Sequence, residues 1–251
     1  MSFLVVFIAA FVAGAINSVA GGGTLVSFPA LVWVGLPSTI ANATSTVAIW
    51  PGSLGAMWGY RRDLAGLPNS TYALIIPSLI GGSLGAVLLV MTPTAVFDRL
   101  IPLLILFATL LFMLQEPVQR AIKTTGKAHA GSKAWLVGAM AFQFLVAVYG
   151  GYFGAGIGIL MLAAFGIMGF TDIHQMNGLK NFLALCINGV AAAYFIWHGM
   201  VSWPHALVMA VGAIVGGVWG AGVARRVGPK AVRRIVIIVG FAMAISLLFR
   251  L

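Results

Sequence analysis

Apolar residues run along this chain in unbroken stretches instead of alternating with polar ones, as residues 73–90 and 101–114 show most plainly. That pattern predicts membrane helices of roughly 20 residues and argues against an outer-membrane barrel. Glycine, proline and polar clusters cut the chain into ten pieces. They cover about residues 3–20, 24–35, 40–60, 71–91 and 94–114, then about 134–153, 157–169, 175–197, 202–224 and 230–249. The second piece of each set holds about 12 or 13 residues, roughly 18 to 20 Å of helix, too short for a hydrocarbon core of roughly 30 Å. Pieces one and two therefore predict a broken or re-entrant hairpin around glycines.

The two sets of five are one unit written twice, at an offset of 135. Gly23 falls on Gly158, Asn42 on Asn177 and Arg99 on Arg234, and Gly81, Gly82, Gly85 and Ala86 fall on Gly216, Gly217, Gly220 and Ala221. No gap is needed between Ala20 and Arg234. The reading is an all-α polytopic membrane protein of two repeats, 1–115 and 134–251, joined by a polar linker at 116–133.

Composition agrees with that class. Of 251 residues only 7% are charged, against about 25% in a soluble domain. The net charge of +10 finds too little polar surface to present a nucleic-acid stripe, so no nucleic-acid partner is expected. The lone Cys186 excludes an internal disulfide, and no metal or cofactor signature appears. The first fourteen residues have no basic start and read as a first membrane segment, not a cleaved signal. Expected partners are the lipid bilayer, a small anionic substrate and, at most, a second copy of the chain as a homodimer.

Placed one by one, the charges give an orientation. Eleven of the fourteen basic residues form three clusters: Arg61 and Arg62; Arg120, Lys123, Lys127 and Lys133; and Arg225, Arg226, Lys230, Arg233 and Arg234. By the positive-inside rule these face the cytoplasm. Two clusters have nearly bare counterparts, because Arg61 and Arg62 align with Ile196 and Trp197, and 225–234 aligns with 90–99. Segments basic in one half and bare in the other predict inverted repeats, with both termini on the outer side.

Inverted repeats with interrupted helices are the architecture of secondary transporters, whose substrates sit where broken helices free backbone groups. Here the breaks are SVAGGGTLVSFP and FGAGIGILML. The helix starts after them, at Thr24 and Ile157, would present unpaired N–H groups and a positive dipole end suited to an anion. Glycine also serves close helix packing, the preferred reading for Gly81, Gly82, Gly85 and their copies. The stretches GGGTLVSFPALVWVGLPSTIANATSTVAIWPGSLGA, GGYFGAGIGILMLAAFGIMG and NGLKN resemble the sulfite exporter TauE/SafE family, also called toluene sulfonate uptake permeases. The resemblance covers essentially the whole chain. It implies a bacterial inner-membrane carrier for sulfur-containing or related organic anions.

Lys180 is the one basic residue outside the clusters and away from Arg99 and Arg250. It is a candidate to neutralise the anion, with snorkelling to the interface as the alternative. Asn177 and Asn181 flank it on its helix, as donors to a ligand or as interhelical packing groups. The matching stretch of the first half offers Asn42, Thr44, Ser45 and Thr46, with Ser38 or Thr39 placed to cap the helix. Asn17, Gly22, Gly23, Thr24, Gly156 and Gly158 complete the candidate set around the breaks. Ser53 and its counterpart Asn188 are weaker candidates, and Trp50 and Trp58 are either pathway walls or packing residues. Asp172 and His174 are candidates for a gate or for loop and capping roles. His198 and His205 mark the outer loop.

The four acids, Asp63, Asp98, Glu116 and Asp172, all fall in or near loops, so the sequence places no carboxylate for a proton relay or sodium cage at the membrane centre. Anion export needs neither, since an inside-negative potential supplies about 2.3 kcal/mol per charge per 100 mV. The expectation is an alternating-access exporter or facilitator and not an enzyme. An anion channel and a proton-coupled importer are the alternatives.

Overall fold

The computed structural model describes residues 2–19, 22–59, 61–64, 67, 69–124, 133–168, 170, 172–227 and 229–248. Lys127 and His129 of the linker lie outside these, as do both chain ends. All regular elements among the described residues are helices. They are α1 (Ser2–Val19), α2 (Thr24–Trp33), α3 (Ser38–Gly59), α4 (Arg61–Leu64), a 3₁₀ helix (Asn69–Leu74), α5 (Ile75–Met91), α6 (Thr94–Thr124), α7 (Lys133–Tyr152), α8 (Ile157–Ile167), α9 (Ile173–Trp197), α10 (Trp203–Val227) and α11 (Pro229–Leu248).

The apolar runs located the ten longer helices within a few residues, with one clear exception, and did not predict α4 or separate the 3₁₀ turn from α5. α6 runs on through Pro117 to Thr124 and takes in the first part of the expected linker. Residues 118–124, VQRAIKT, are mostly good helix formers, so a helix end projecting from the bilayer can continue into them. Three spans, Thr71–Met91, Thr94–Leu114 and His174–Trp197, are long and apolar enough to cross a membrane. Thr24–Trp33 and Ile157–Gly166 are shorter apolar helices, each opening just after a glycine break.

These helices are sorted by size more than by polarity. α5 buries Ser78, Gly81, Gly82, Gly85 and Ala86 and exposes Ile76, Ile80, Leu84 and Leu88. Its small face therefore packs while its large apolar face meets lipid, the arrangement expected where hydrocarbon surrounds the bundle. A Cβ on Gly81 would lie 2.6 Å from the Phe144 carbonyl, and one on Gly85 would strike the Val148 carbonyl. In α10, Gly216 packs in the same way on the Phe11 carbonyl.

Contacts along each interface give the helix directions. Ser78 meets Gln143, Gly81 meets Phe144, and Gly85 meets Tyr152, so α5 and α7 run parallel. Phe3 lies on His205, Gly212 on Phe7 and Gly217 on Gly14, so α1 and α10 run parallel. Thr44 with Ser202 and Gly52 with Ala213 align α3 with α10. Tyr72 with Phe182 and Gly82 with Ile187 align α9 with the segment leading into α5. α3 and α9 oppose each other. Thr44 near the start of α3 holds Ser202 beyond the end of α9, while Leu64 past the end of α3 binds Tyr72, whose ring lies on Phe182 early in α9.

Two consequences follow from these directions. Because α3 starts at the end of the bundle where α1 starts, α2 must lead the chain back, so α1 and α2 form a re-entrant hairpin; α7 and α8 do the same before α9. The end of α3 with α4, the end of α6 with the start of α7, and the end of α10 with the start of α11 also lie at one end of the bundle. These elements carry ten of the eleven residues of the three basic clusters, Lys127 lying outside the described residues. Trp33, Trp197 and Trp203, all exposed, lie at the other end, as an interfacial aromatic belt would.

The packing pairs off under the 135-residue offset. α1 packs on α10 as α7 packs on α5, α3 on α10 as α9 on α5, and α2 on α11 as α8 on α6. Both apolar cores mix residues of residues 1–115 with residues of 134–251.

Candidate functional site

The glycine breaks come together against one turn of α6. Gly22 receives the ring of Phe112, and a Cβ on Gly156 would lie 3.4 Å from Leu111 and 3.7 Å from Ala108. Gly156 takes the left-handed conformation (φ 81°), which only glycine adopts without strain, and so turns the chain into α8. Tyr149 steadies this break by donating its hydroxyl to the Ala155 carbonyl at 2.7 Å.

The two breaks differ in what their backbone groups do. At the first, Gly23 N–H donates to Asn17 Oδ1 at 2.9 Å, and Leu25, Val26 and Ser27 N–H bond back to Gly22 or Gly23. Ser27 Oγ lies 2.7 Å from Ser45 Oγ and donates to the Gly23 carbonyl at 3.1 Å. Thr24 is half-buried at the head of α2. At the second break, Ile159 N–H returns to Gly156, while Ile157 and Gly158 N–H find no partner among the described residues.

Lys180 stands beside that second, uncapped helix start. A Cβ on Gly158 would lie 3.0 Å from Lys180 Cδ, so the lysine stem rests on bare backbone. Its Nζ donates to Asn177 Oδ1 at 3.1 Å, and the residue is 5% exposed. Among the described residues it is the one charged side chain that is buried, since Asp98 and Asp172 are exposed. Asn181 is half-buried on the next position. Lys180 aligns with Ser45 in the repeat, so one half carries a cation where the other carries a hydroxyl pair.

Several other candidates are engaged in holding the fold. Asn42 Nδ2 donates to the Tyr152 carbonyl at 2.8 Å, which ties α3 to the end of α7. Thr44 Oγ1 accepts Ser202 N–H at 3.0 Å, and Thr46 Oγ1 donates to the Asn42 carbonyl at 3.0 Å. Asp172 caps α9 by accepting His174 N–H at 2.8 Å and Gln175 N–H at 3.4 Å, and His174 is exposed beside it. Ser38 and Thr39 do not cap α3: they lie inside its first turn, where Ser38 Oγ has no partner and Thr39 Oγ1 lies 3.2 Å from Thr94 Oγ1. Asn188 approaches the second break at Gly154. Trp58 has no described side chain. Ser27, Tyr149 and Phe112 were not singled out from the sequence. A serine one turn after the break was the available signal for Ser27, and nothing in the sequence pointed to Phe112, which reaches Gly22 from 90 positions away.

Trp50 marks the centre of the arrangement. Its Nε1 donates to the carbonyl of Leu185 at 3.1 Å, and Leu185 is its own counterpart at the repeat offset. Antiparallel α3 and α9 cross at this contact. Ser45 and Lys180 leave their helices five residues earlier, about 7 to 8 Å of helix to either side of the crossing.

The sequence profile described as Sulfite exporter TauE/SafE matches residues 6–247. The chain is 28% identical to a probable membrane transporter protein of Haemophilus influenzae, over 98% of this chain and 94% of that one. It is 28% identical to the probable membrane transporter protein ORF9 of a Sinorhizobium species, over 96% and 90% of the two chains. The probable membrane transporter protein YfcA of Escherichia coli K12 is 27% identical, over 98% and 89%. No solved structure matches the chain. With a profile match across nearly its whole length on an all-helical, lipid-facing bundle, the chain belongs to the sulfite exporter TauE/SafE family of membrane proteins.

Proposed function

We propose that this protein carries small organic or sulfur oxyanions, such as sulfite, sulfonates or sulfoacetate, across the bacterial inner membrane by alternating access, as an exporter or facilitator. The observation that carries the reading is Lys180: among the described residues, a buried ammonium with no carboxylate partner, seated on Gly158 beside the unpaired N–H groups of Ile157 and Gly158. A buried cation lacking an acid partner is costly unless something anionic visits it. Backbone N–H groups at a helix start supply the remaining donors for an oxyanion. Asn177 holds the ammonium in place, and Asn181 lies within the same turn. The first break, capped internally by Asn17 and the Ser27–Ser45 pair, is the neutral side of the pathway.

Antiparallel α3 and α9, crossing at repeat-equivalent positions, support two inverted halves that rock about a shared axis. By the positive-inside rule, the basic clusters at one end support a cytoplasmic location for that end, with both termini outside. A tag at either terminus is therefore expected to be reachable on intact cells, and cytoplasmic labelling of both ends would refute this orientation.

Purified protein in liposomes tests the function. With sulfite, a short sulfonate, sulfoacetate and a carboxylate as the panel, flux of at least one anion is expected to saturate and to be accelerated by the same anion on the far side. Flux that rises linearly without trans-stimulation would make the protein a channel.

A further inference from the structure

We infer that Trp50 is a positioning residue that holds the carrier in one of its two alternating conformations, through a hydrogen bond that the opposite conformation cannot form. This rests on the alternating-access reading above. In a carrier of two inverted repeats, the opposite-facing state is approximated by letting each half adopt the other half's conformation. Every contact between the halves then maps onto its counterpart at the 135-residue offset.

The bond from Trp50 Nε1 to the Leu185 carbonyl would map onto a bond from the side chain of residue 185 to the carbonyl of residue 50. Leucine has no donor, so that bond cannot be made. The bond of Ser202 N–H to Thr44 Oγ1 would map onto one from Leu67 N–H to the side chain of Leu179, which has no acceptor. These two one-way bonds join α3 to the second half, the Trp50 side chain donating and the Thr44 side chain accepting, and both favour the conformation described here. Trp50 is half-buried at the α3–α9 crossing, and a Cβ on Gly189 would lie 3.1 Å from its Nε1, so a glycine there is what admits the ring. Changes at this position bear directly on how the two helices pivot.

The test uses the whole protein in nanodiscs with Cys186→Ser and two spin-label pairs. Pro37→Cys with Ile196→Cys reports the end of the bundle where α3 begins, and Arg61→Cys with His174→Cys reports the other end; all four positions are exposed. Trp50→Phe keeps the ring and removes the donor. Trp50→Leu combined with Leu185→Trp moves the donor to α9 and preserves total volume, so it also answers a single variant that fails to fold. One neutral hydrogen bond sets a shift of about 2- to 12-fold in the ratio of the two conformations. The ratio is expected to move away from the parent in Trp50→Phe and further in the exchange variant, with one end opening as the other closes. Thr44→Val is expected to move it in the same direction. Distance distributions identical to the parent in Trp50→Phe and in the exchange variant would overturn the inference. A graded shift without saturable anion flux would leave it standing and remove the transport reading instead.

Discussion

Lys180→Met is expected to lower saturable anion transport by about 10- to 150-fold, the range set by losing a charge-assisted hydrogen bond to a bound anion. The same change is expected to leave thermal stability equal to the parent or higher. Methionine keeps an unbranched stem over Gly158, and removing a buried ammonium that no acid among the described residues neutralises relieves its desolvation cost. The opposite signs separate a ligand from a structural residue. A lysine that only tied α9 to its neighbours would lose stability and transport together. Counterflow in liposomes and unfolding in detergent, measured on one preparation, decide it. Saturable transport that survives Lys180→Met unchanged would place the anion elsewhere.

Gly85→Leu and Gly216→Leu are expected to prevent assembly. At both positions a first side-chain atom would enter the backbone of the facing helix, at the Val148 carbonyl and the Phe11 carbonyl. Overpacking that a flexible side chain can absorb costs about 1 to 3 kcal/mol, and backbone cannot yield in that way. Helix pairs joined through small residues lose their contact surface altogether when forced apart. Gly138→Leu is the control, because a Cβ there meets nothing and the residue is exposed. That change is expected to stay within about 0.5 kcal/mol of the parent. Gel filtration after detergent extraction reads all three: aggregation or loss for the first two, a single sharp peak for the third. A normal peak for Gly85→Leu would contradict the packing of α5 on α7.

Much of this architecture is legible in the sequence because hydrocarbon imposes strong rules. Unbroken apolar runs had to be helices, and pieces as short as Thr24–Trp33 and Ile157–Ile167 could not cross alone. Gly81 and Gly85 declared a packing face by their spacing. The hairpins' direction was not legible, since it depends on α3 lying parallel to α10, which no local pattern encodes. The site was read less completely, for the same reason. Lys180 stood out by elimination, yet its seat on Gly158 is a tertiary contact between residues 22 positions apart. Asn42 and Thr44 have the chemistry of ligands, and only the fold reveals that they bond Tyr152 and Ser202. The continuation of α6 beyond Leu114 is not legible, because a polar stretch fits the end of a helix and a helix leaving the lipid equally well.

The partner of α1 is α10, and between Val19 and Trp203 lies most of the chain. At about 5 to 20 residues per second, the ribosome needs on the order of 10 to 40 s to make that stretch. Throughout this interval the nascent first hairpin, with its small-residue face and its polar Asn17, sits in the bilayer or the insertion machinery without the surface it is shaped for. Biogenesis must therefore tolerate a long wait, and fragments ending before α10 are expected to be cleared by membrane proteases, however well their early helices insert.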